Sequence, residues 1–328
     1  MPVDLWTSPA FVTEATGWTA AAAAEHGLTL TGEWEQPHAR PWSSAIRFEA
    51  DGGRLWFKVN GPGTSHEAGL TGALAAVVPD LVPVVLALDA DRGWSLMRDA
   101  GPVMRGLAGP DQLWDRWHLV ITAYARAQRT LAAHVDTLRA SGVRETSPAT
   151  LPRLARDLLA ELSARPVRDG GLDEAQAGRL AALMPAYDEW CAELAASGVP
   201  VSINHDDLHS ANICWDNGPR IIDWGDAVLG HAFGTLLVTL NSIAWHAGIE
   251  IDDPRVEAVR DAYLDEFADV GSHEDRVRWT LLARRTGCVS RALSYVQAFV
   301  GEPAEAQAAE DWPVRAWFLE LLEEAGQS

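Results

Sequence analysis

Residues 204–230, N-H-D-D-L-H-S-A-N-I-C-W-D-N-G-P-R-I-I-D-W-G-D-A-V-L-G, constrain this chain more than any other stretch. Two short apolar pieces, 213–215 and 220–222, flank the turn Asp216-Asn217-Gly218, the pattern of a tight β-hairpin. His205, Asp207 and Asn212 precede the hairpin and Asp223 follows it. A carboxamide and a carboxylate at the two ends of one hairpin are hard oxygen donors. Such donors suit Mg²⁺, which takes few protein ligands and completes its shell with water and phosphate. Asp207 is then left over, a carboxylate able to receive a proton from a hydroxyl. A zinc site built on His205, Asp207 and His209 is the rival reading. It leaves Asn212 and Asp223 without a role.

The segment resembles the catalytic loop and metal-binding segment of the aminoglycoside phosphotransferase and choline kinase-like family, relatives of the protein kinases. His205-Asp206-Asp207 is similar to the family's H-x-D, Asn212 to its Asn five positions on, and Asp223 to the Asp of its I-D-W/F piece. The resemblance implies an ATP- and Mg²⁺-dependent phosphotransferase, with GTP as the other candidate nucleotide. Asp207 would orient and deprotonate the acceptor hydroxyl, and Asn212 and Asp223 would hold the metal. His205 is expected to brace the loop and Asp206 to face solvent. It also implies an α+β, bilobal, protein-kinase-like fold: a small antiparallel-sheet lobe over 1–98 that covers ATP, and a larger, mostly helical lobe over 99–328 with the acceptor pocket. A kinase-like protein that binds nucleotide without transferring phosphate is the alternative.

Of 26 basic residues in 328, one is a lysine, Lys58, inside the apolar run Leu55-Trp56-Phe57-Lys58-Val59. Arginine does not replace a compact ammonium in a tight phosphate site, and Lys58 stands where the family places its phosphate-contacting lysine. The surrounding pattern is an antiparallel meander: strand-like alternation over 28–36, 44–50 and 54–60, with a D-G-G turn at 51–53. An alanine-rich helix over 8–26, ended by Gly27, is expected to cover it. The turn 37–44 lacks a glycine-rich G-x-G-x-x-G, so Ser43 and Ser44 are the candidates for a phosphate cradle. After Gly61-Pro62-Gly63, Thr64 or Ser65 is expected to cap a helix whose first turn holds Glu67. Glu67 matches the helix glutamate that pairs with the strand lysine.

Strands over 82–88 and 93–97 lead into Met97-Arg98-Asp99-Ala100-Gly101, which fits the hinge where a nucleotide base binds; Trp94 and Met97 are candidates either to line its pocket or to belong to the core. Beyond it the periodicity is helical: one long helix over 111–140, then 148–165, 172–197, 231–247, 254–269, 273–300 and 303–325. In this family the late helices build the acceptor pocket. Asp226, Trp245, Glu250, Asp252 and Asp253 are therefore candidates for gripping an acceptor, by carboxylate pairing or an aromatic face.

The formal net charge of -20 repels nucleic acid and anionic membranes and favours a cationic small molecule. Three widely spaced cysteines without a C-x-x-C pair argue against disulfide or thiolate-metal frameworks and for a reduced cytoplasm. Neither a signal-like start nor an apolar run of about 20 residues is present. Oligomeric state is not legible in the sequence.

Overall fold

The computed structural model describes residues 3–107, 109–302 and 313–326. Alternation of apolar and polar residues builds the first layer, because successive strand side chains point to opposite faces. Strands β1 (Leu30–Arg40), β2 (Ser43–Ala50), β3 (Leu55–Asn60), β4 (Val85–Asp89) and β5 (Trp94–Arg98) form one antiparallel sheet in the order β1-β2-β3-β5-β4. A short helix α1 (Val3–Trp6) and α2 (Pro9–Glu25) cover one face. Ser8 caps α2 by accepting from the Phe11 amide, and Gly27 turns the chain out at φ 69°. Between them lie Phe11, Trp18, Phe57 and Trp94, with Phe57 and Trp94 edge to face at 5.1 Å. Trp94 therefore belongs to the core under α2, the second of the two places the sequence left open for it.

The turn expected over 37–44 is far shorter. β1 continues to Arg40 and β2 begins at Ser43, so only Pro41 and Trp42 connect them. Helix α3 (His66–Val77) begins after Ser65, but neither candidate hydroxyl caps it. Ser65 donates to the Pro62 carbonyl and Thr64 to that of Trp42, which fastens the loop instead.

The long helix expected over 111–140 is interrupted. α4 (Pro110–Leu131) passes through a 3₁₀ turn at Ala132–His134 into α5 (Val135–Ala140). The apolar stripe lapses there, with residues 133 and 134 exposed. Helices α6 (Leu151–Ala164), α7 (Glu174–Ala196), α8 (Leu236–Ala247), α9 (Pro254–Asp265), α10 (His273–Ala298) and α11 (Val314–Glu324) complete the second half. Of the final helix expected over 303–325, residues 303–312 lie outside the described residues. Among the described residues no helix is long and apolar enough to cross a membrane. All three cysteines are free and buried.

Three short strands have no counterpart in the sequence reading. β6 (Arg144–Thr146), β7 (Val201–Asn204) and β10 (Val228–His231) form a sheet in the order β6-β10-β7. β10 runs parallel to β6 and antiparallel to β7, which clamps both ends of the segment 204–230. Between them β8 (Ile213–Trp215) and β9 (Pro219–Ile221) make the expected hairpin, with Asn217 in the left-handed region at φ 55°.

The tip of the sheet also meets the far end of the helical half. Trp42 at the β1–β2 tip meets Phe299, just past α10, edge to face at 5.6 Å. Gly63 lies so close to the end of α10 that a Cβ there would overlap the Gln297 carbonyl and press on Val300 at 3.3 Å. Gly63→Ala is expected to cost about 1–3 kcal/mol, as overpacking does. Chemical denaturation compared with the parent checks it, and an unchanged midpoint would show that this contact yields freely.

Candidate active site

The loop before the hairpin is held by buried polar groups on all sides. Asn204 donates to the His231 carbonyl at 3.0 Å and accepts from Gln128 at 2.9 Å. The His205 amide donates to the Tyr124 hydroxyl at 2.8 Å. Its Nε2 donates to the Ile222 carbonyl at 2.8 Å, while the ring packs on Trp224. Burial lowers the pKa of His205 and keeps it neutral. The ring thus ties the loop to the far strand of the hairpin, a bracing role. Among the described residues no three His, Cys, Asp or Glu gather as a metal cluster.

Asp206 departs from expectation. It takes left-handed backbone, φ 62°, and is 4% exposed rather than solvated. Its Oδ2 accepts from Ser290 at 3.1 Å and Ser294 at 2.9 Å, both on α10. Burial pushes its carboxyl up to about 6. The twist at Asp206 sends this side chain behind the loop, while Asp207 lines the cleft.

Asp207 is gripped at both oxygens. Oδ1 accepts from Arg291 Nη2 at 2.8 Å, and Oδ2 from Asn212 Nδ2 at 3.3 Å with His209 Nε2 at 3.4 Å. Burial raises its pKa, yet the Arg291 guanidinium, together with His209 and His205 beside it, outweighs this and holds the carboxyl below its ordinary value. Arg291, on α10 with its side chain 5% exposed, was not singled out in the sequence. Its Nη1 also pairs with Asp226 Oδ2 at 2.5 Å, and its plane lies 4.7 Å from the Tyr295 ring. Asp226 is therefore committed to Arg291.

Across the cleft, Lys58 Nζ meets Glu67 Oε1 at 2.7 Å and Asp223 Oδ1 at 2.5 Å. The expected lysine–glutamate pair is present, and Glu67 does more. Its Oε1 accepts the Trp224 amide at 2.9 Å and its Oε2 accepts Asn60 at 2.7 Å, so one buried carboxylate joins β3, α3 and the segment after Asp223. Burial opposes the charge on Lys58, but the two carboxylates hold its pKa above the ordinary value. Burial likewise pushes Asp223 up, and the ammonium beside it brings the carboxyl down to about 2. Asp223 takes left-handed backbone at φ 67°, which Asp tolerates. The Ile222 amide donates to the Asn212 carbonyl at 2.9 Å, so Asn212 and Asp223 stand at the same end of the hairpin.

Two cavities open along this cleft. The first, about 300 Å³, is mostly apolar and is lined by Ala45, Lys58, Pro83, Met97, Val103 and Ile222 among others. The second, about 190 Å³, is lined by Trp42, Asp207, Asp226, Arg291 and Tyr295 among others. Met97 is on the wall of the first. Asp99 lies behind the first cavity, where it accepts from Trp56 Nε1 at 2.9 Å and the Gly101 amide at 2.8 Å and so fixes the hinge.

The serine cradle is not found. Ser43 and Ser44 are buried inside the hairpin, Ser43 bonded to His38 Nε2 at 3.0 Å and Ser44 to the His38 carbonyl and Gln36. With the turn cut to two residues, both fall in β2 and their hydroxyls satisfy the hairpin itself. Trp245 is 83% exposed at the end of α8, Glu250 and Asp252 are exposed, and Asp253 caps α9 and pairs with Arg255. None of these four lines either cavity. Their solvent-facing ends of helices carry acids for capping and solubility.

Residues 35–279 match the model of the phosphotransferase enzyme family (APH). No curated protein sequence matches the chain. Among solved structures it is similar to a macrolide 2′-phosphotransferase of Brachybacterium faecium, at 16% identity over 91% of this chain and 97% of that one, TM-score 0.57. It is similar to a choline/ethanolamine kinase family protein of Mesorhizobium loti, at 18% identity over 95% of each chain, TM-score 0.57. It also resembles an aminoglycoside phosphotransferase of Streptomyces rimosus in complex with ADP and streptomycin, at 18% identity over 87% and 98%, TM-score 0.52. Identities this low carry the shared α+β, protein-kinase-like fold and leave substrate to the site. Because the family match spans most of the chain and takes in Lys58, the loop at Asp207 and Asp223 alike, the protein belongs to the phosphotransferase enzyme family.

Proposed function

We propose that the protein moves the γ-phosphoryl group of ATP, with Mg²⁺, to a hydroxyl of a small molecule. One observation carries this reading: the Lys58–Glu67–Asp223 cluster and the Asp207–Asn212 pair face one another where an apolar cavity meets a polar one. Residues 1–98 form the nucleotide-covering lobe and 99–328 the acceptor lobe. The apolar cavity suits a purine, either adenine or guanine, with Met97 on its wall and Asp99 fixing the hinge behind it. Lys58, held by Glu67, meets the phosphates as a point charge.

A magnesium ion suits the donors at the hairpin end. Asp223 stays ionised, and Asn212 gives its Nδ2 to Asp207, which leaves its carbonyl oxygen as the ligand. Bound there, the metal supplies charge neutralisation for the phosphate oxygens. Asp207 accepts a hydrogen bond from the acceptor hydroxyl and aims its oxygen at the phosphorus. A carboxylate held below its usual pKa is a weak base, which suits a loose transition state in which the hydroxyl gives up its proton late.

The acidic surface favours a cationic acceptor such as an aminoglycoside, amino sugar or amino alcohol. An ammonium contact from Asp226 would compete with Arg291. Nucleic acid is disfavoured by the same charge, and the free thiols fit the cytoplasm.

Incubation with Mg·ATP and a panel of such hydroxyl compounds, read by mass spectrometry, tests the transfer; a panel with neither phosphorylated product nor ADP counts against it. Asp223→Asn keeps the left-handed backbone and removes the charge. It is expected to raise the Mg²⁺ needed for half-maximal nucleotide binding roughly tenfold or more. Titration calorimetry at several Mg²⁺ concentrations checks this, and an unshifted dependence would remove Asp223 from the metal site.

A further inference from the structure

The β1–β2 hairpin lacks a glycine-rich loop, and the serines that might replace one are turned inward. Its single contribution to the junction of the two cavities is an imidazole. Among the described residues, His38 and Asp223 alone line both the apolar cavity and the polar one. A phosphoryl group passing from nucleotide to acceptor crosses that junction. We infer that His38 donates a hydrogen bond to the transferring γ-phosphoryl group and does the work that backbone amides do in a glycine-rich loop. This inference rests on the nucleotide reading given above.

The hairpin orients the ring for that task. Ser43 Oγ lies 3.0 Å from His38 Nε2 and has no other partner among the described residues, so its proton is free for the ring nitrogen. A hydroxyl donating to Nε2 selects the tautomer protonated at Nδ1. Nδ1 has no protein partner among the described residues. An Nδ1–H donor at the junction meets the phosphoryl oxygens, whose charge spreads as the bond to the leaving oxygen breaks. Burial lowers the pKa of His38; Asp223 opposes this and Lys58 and Arg40 add to it, so the ring is neutral and carries a single N–H. The short turn explains why the group is a side chain: Pro41 and Trp42 leave no stretch of free amides to fold over a phosphate.

Two substitutions separate the ends of the ring. The amide nitrogen of Asn lies two bonds from Cβ, as Nδ1 does, and that of Gln three bonds, as Nε2 does. His38→Gln therefore keeps the contact to Ser43 and loses the donor to the phosphate, while His38→Asn keeps the donor. Binding of Mg·ADP and of the Mg complex of the non-hydrolysable analogue AMP-PNP is measured by calorimetry for both variants and the parent. The Gln variant is expected to lose roughly tenfold in affinity for AMP-PNP with ADP within about twofold, a hydrogen bond to a charged group being at stake. The Asn variant is expected to stay near the parent for both. Equal losses for both nucleotides in the Gln variant, or no loss for either, overturn the assignment, since ADP lacks the γ-phosphate. A parent that binds neither nucleotide overturns the nucleotide reading itself; a parent that binds both, with an unchanged ratio in the Gln variant, removes His38 alone.

Discussion

Asp207→Asn is expected to lower turnover about 10²- to 10⁴-fold, the usual worth of a positioned acid–base group. Nucleotide affinity should hold, because the cluster on the other wall, Lys58, Glu67 and Asp223, is untouched. The substitution is nearly isosteric but not silent. Arg291 loses one of its two carboxylates, and the amide can offer only its oxygen to the guanidinium. Thermal denaturation of the variant separates that loss from the chemistry: a folded variant that binds nucleotide and fails to transfer is the expected outcome. Unchanged turnover would take Asp207 out of the reaction.

Arg291→Ala should produce the largest loss of stability. Removing one partner of a buried ion pair costs about 3–5 kcal/mol, because the remaining charge stays buried without compensation. Here two carboxylates, Asp207 and Asp226, lose their partner together, and Asp206 loses a nearby positive charge. The pH dependence follows from the direction of the shifts. In the parent Asp207 is held below its unfolded pKa of about 4, so its contribution is present above that value and lost as pH falls through the lower, folded one. In the variant the guanidinium is gone and burial is opposed only by the neighbouring His209 and His205, so the carboxyl moves up and its ionised form loses its stabilising contribution. Asp206, already at about 6, moves the same way. The deficit relative to the parent should be greatest near neutral pH and shrink on acidification. Urea unfolding of both proteins across that range measures it, and a deficit independent of pH would mean that the loss is packing rather than charge.

The parts of this site legible in the sequence are those whose chemistry and spacing are local. Asp207, Asn212 and Asp223 lie within one hairpin and its flanks, and Lys58 is conspicuous because no other lysine exists to hide it. Glu67 follows nine residues later, at the start of the next helix. Arg291 is 84 residues beyond Asp207 in a helix rich in arginine, where composition does not separate a buried guanidinium from a solvated one. A signal did exist: Arg276, Arg284 and Arg291 recur at seven- and eight-residue spacing on a face otherwise made of small residues, Gly287, Ser290 and Ser294, and all three arginines are buried. His38 was hidden differently, by a turn read as eight residues when the strands leave two. Asp206 was expected to face solvent because nothing in its residue type marks it as buried. Its left-handed backbone, invisible in composition, decided its direction.

The seat of Trp42 and Gly63 on the last turn of α10 has a mechanical meaning. The roof above one compartment is also the side wall of the other, so lifting the hairpin to let one occupant leave uncovers both. Both compartments therefore share one fastening, the ring contact of Trp42 with Phe299.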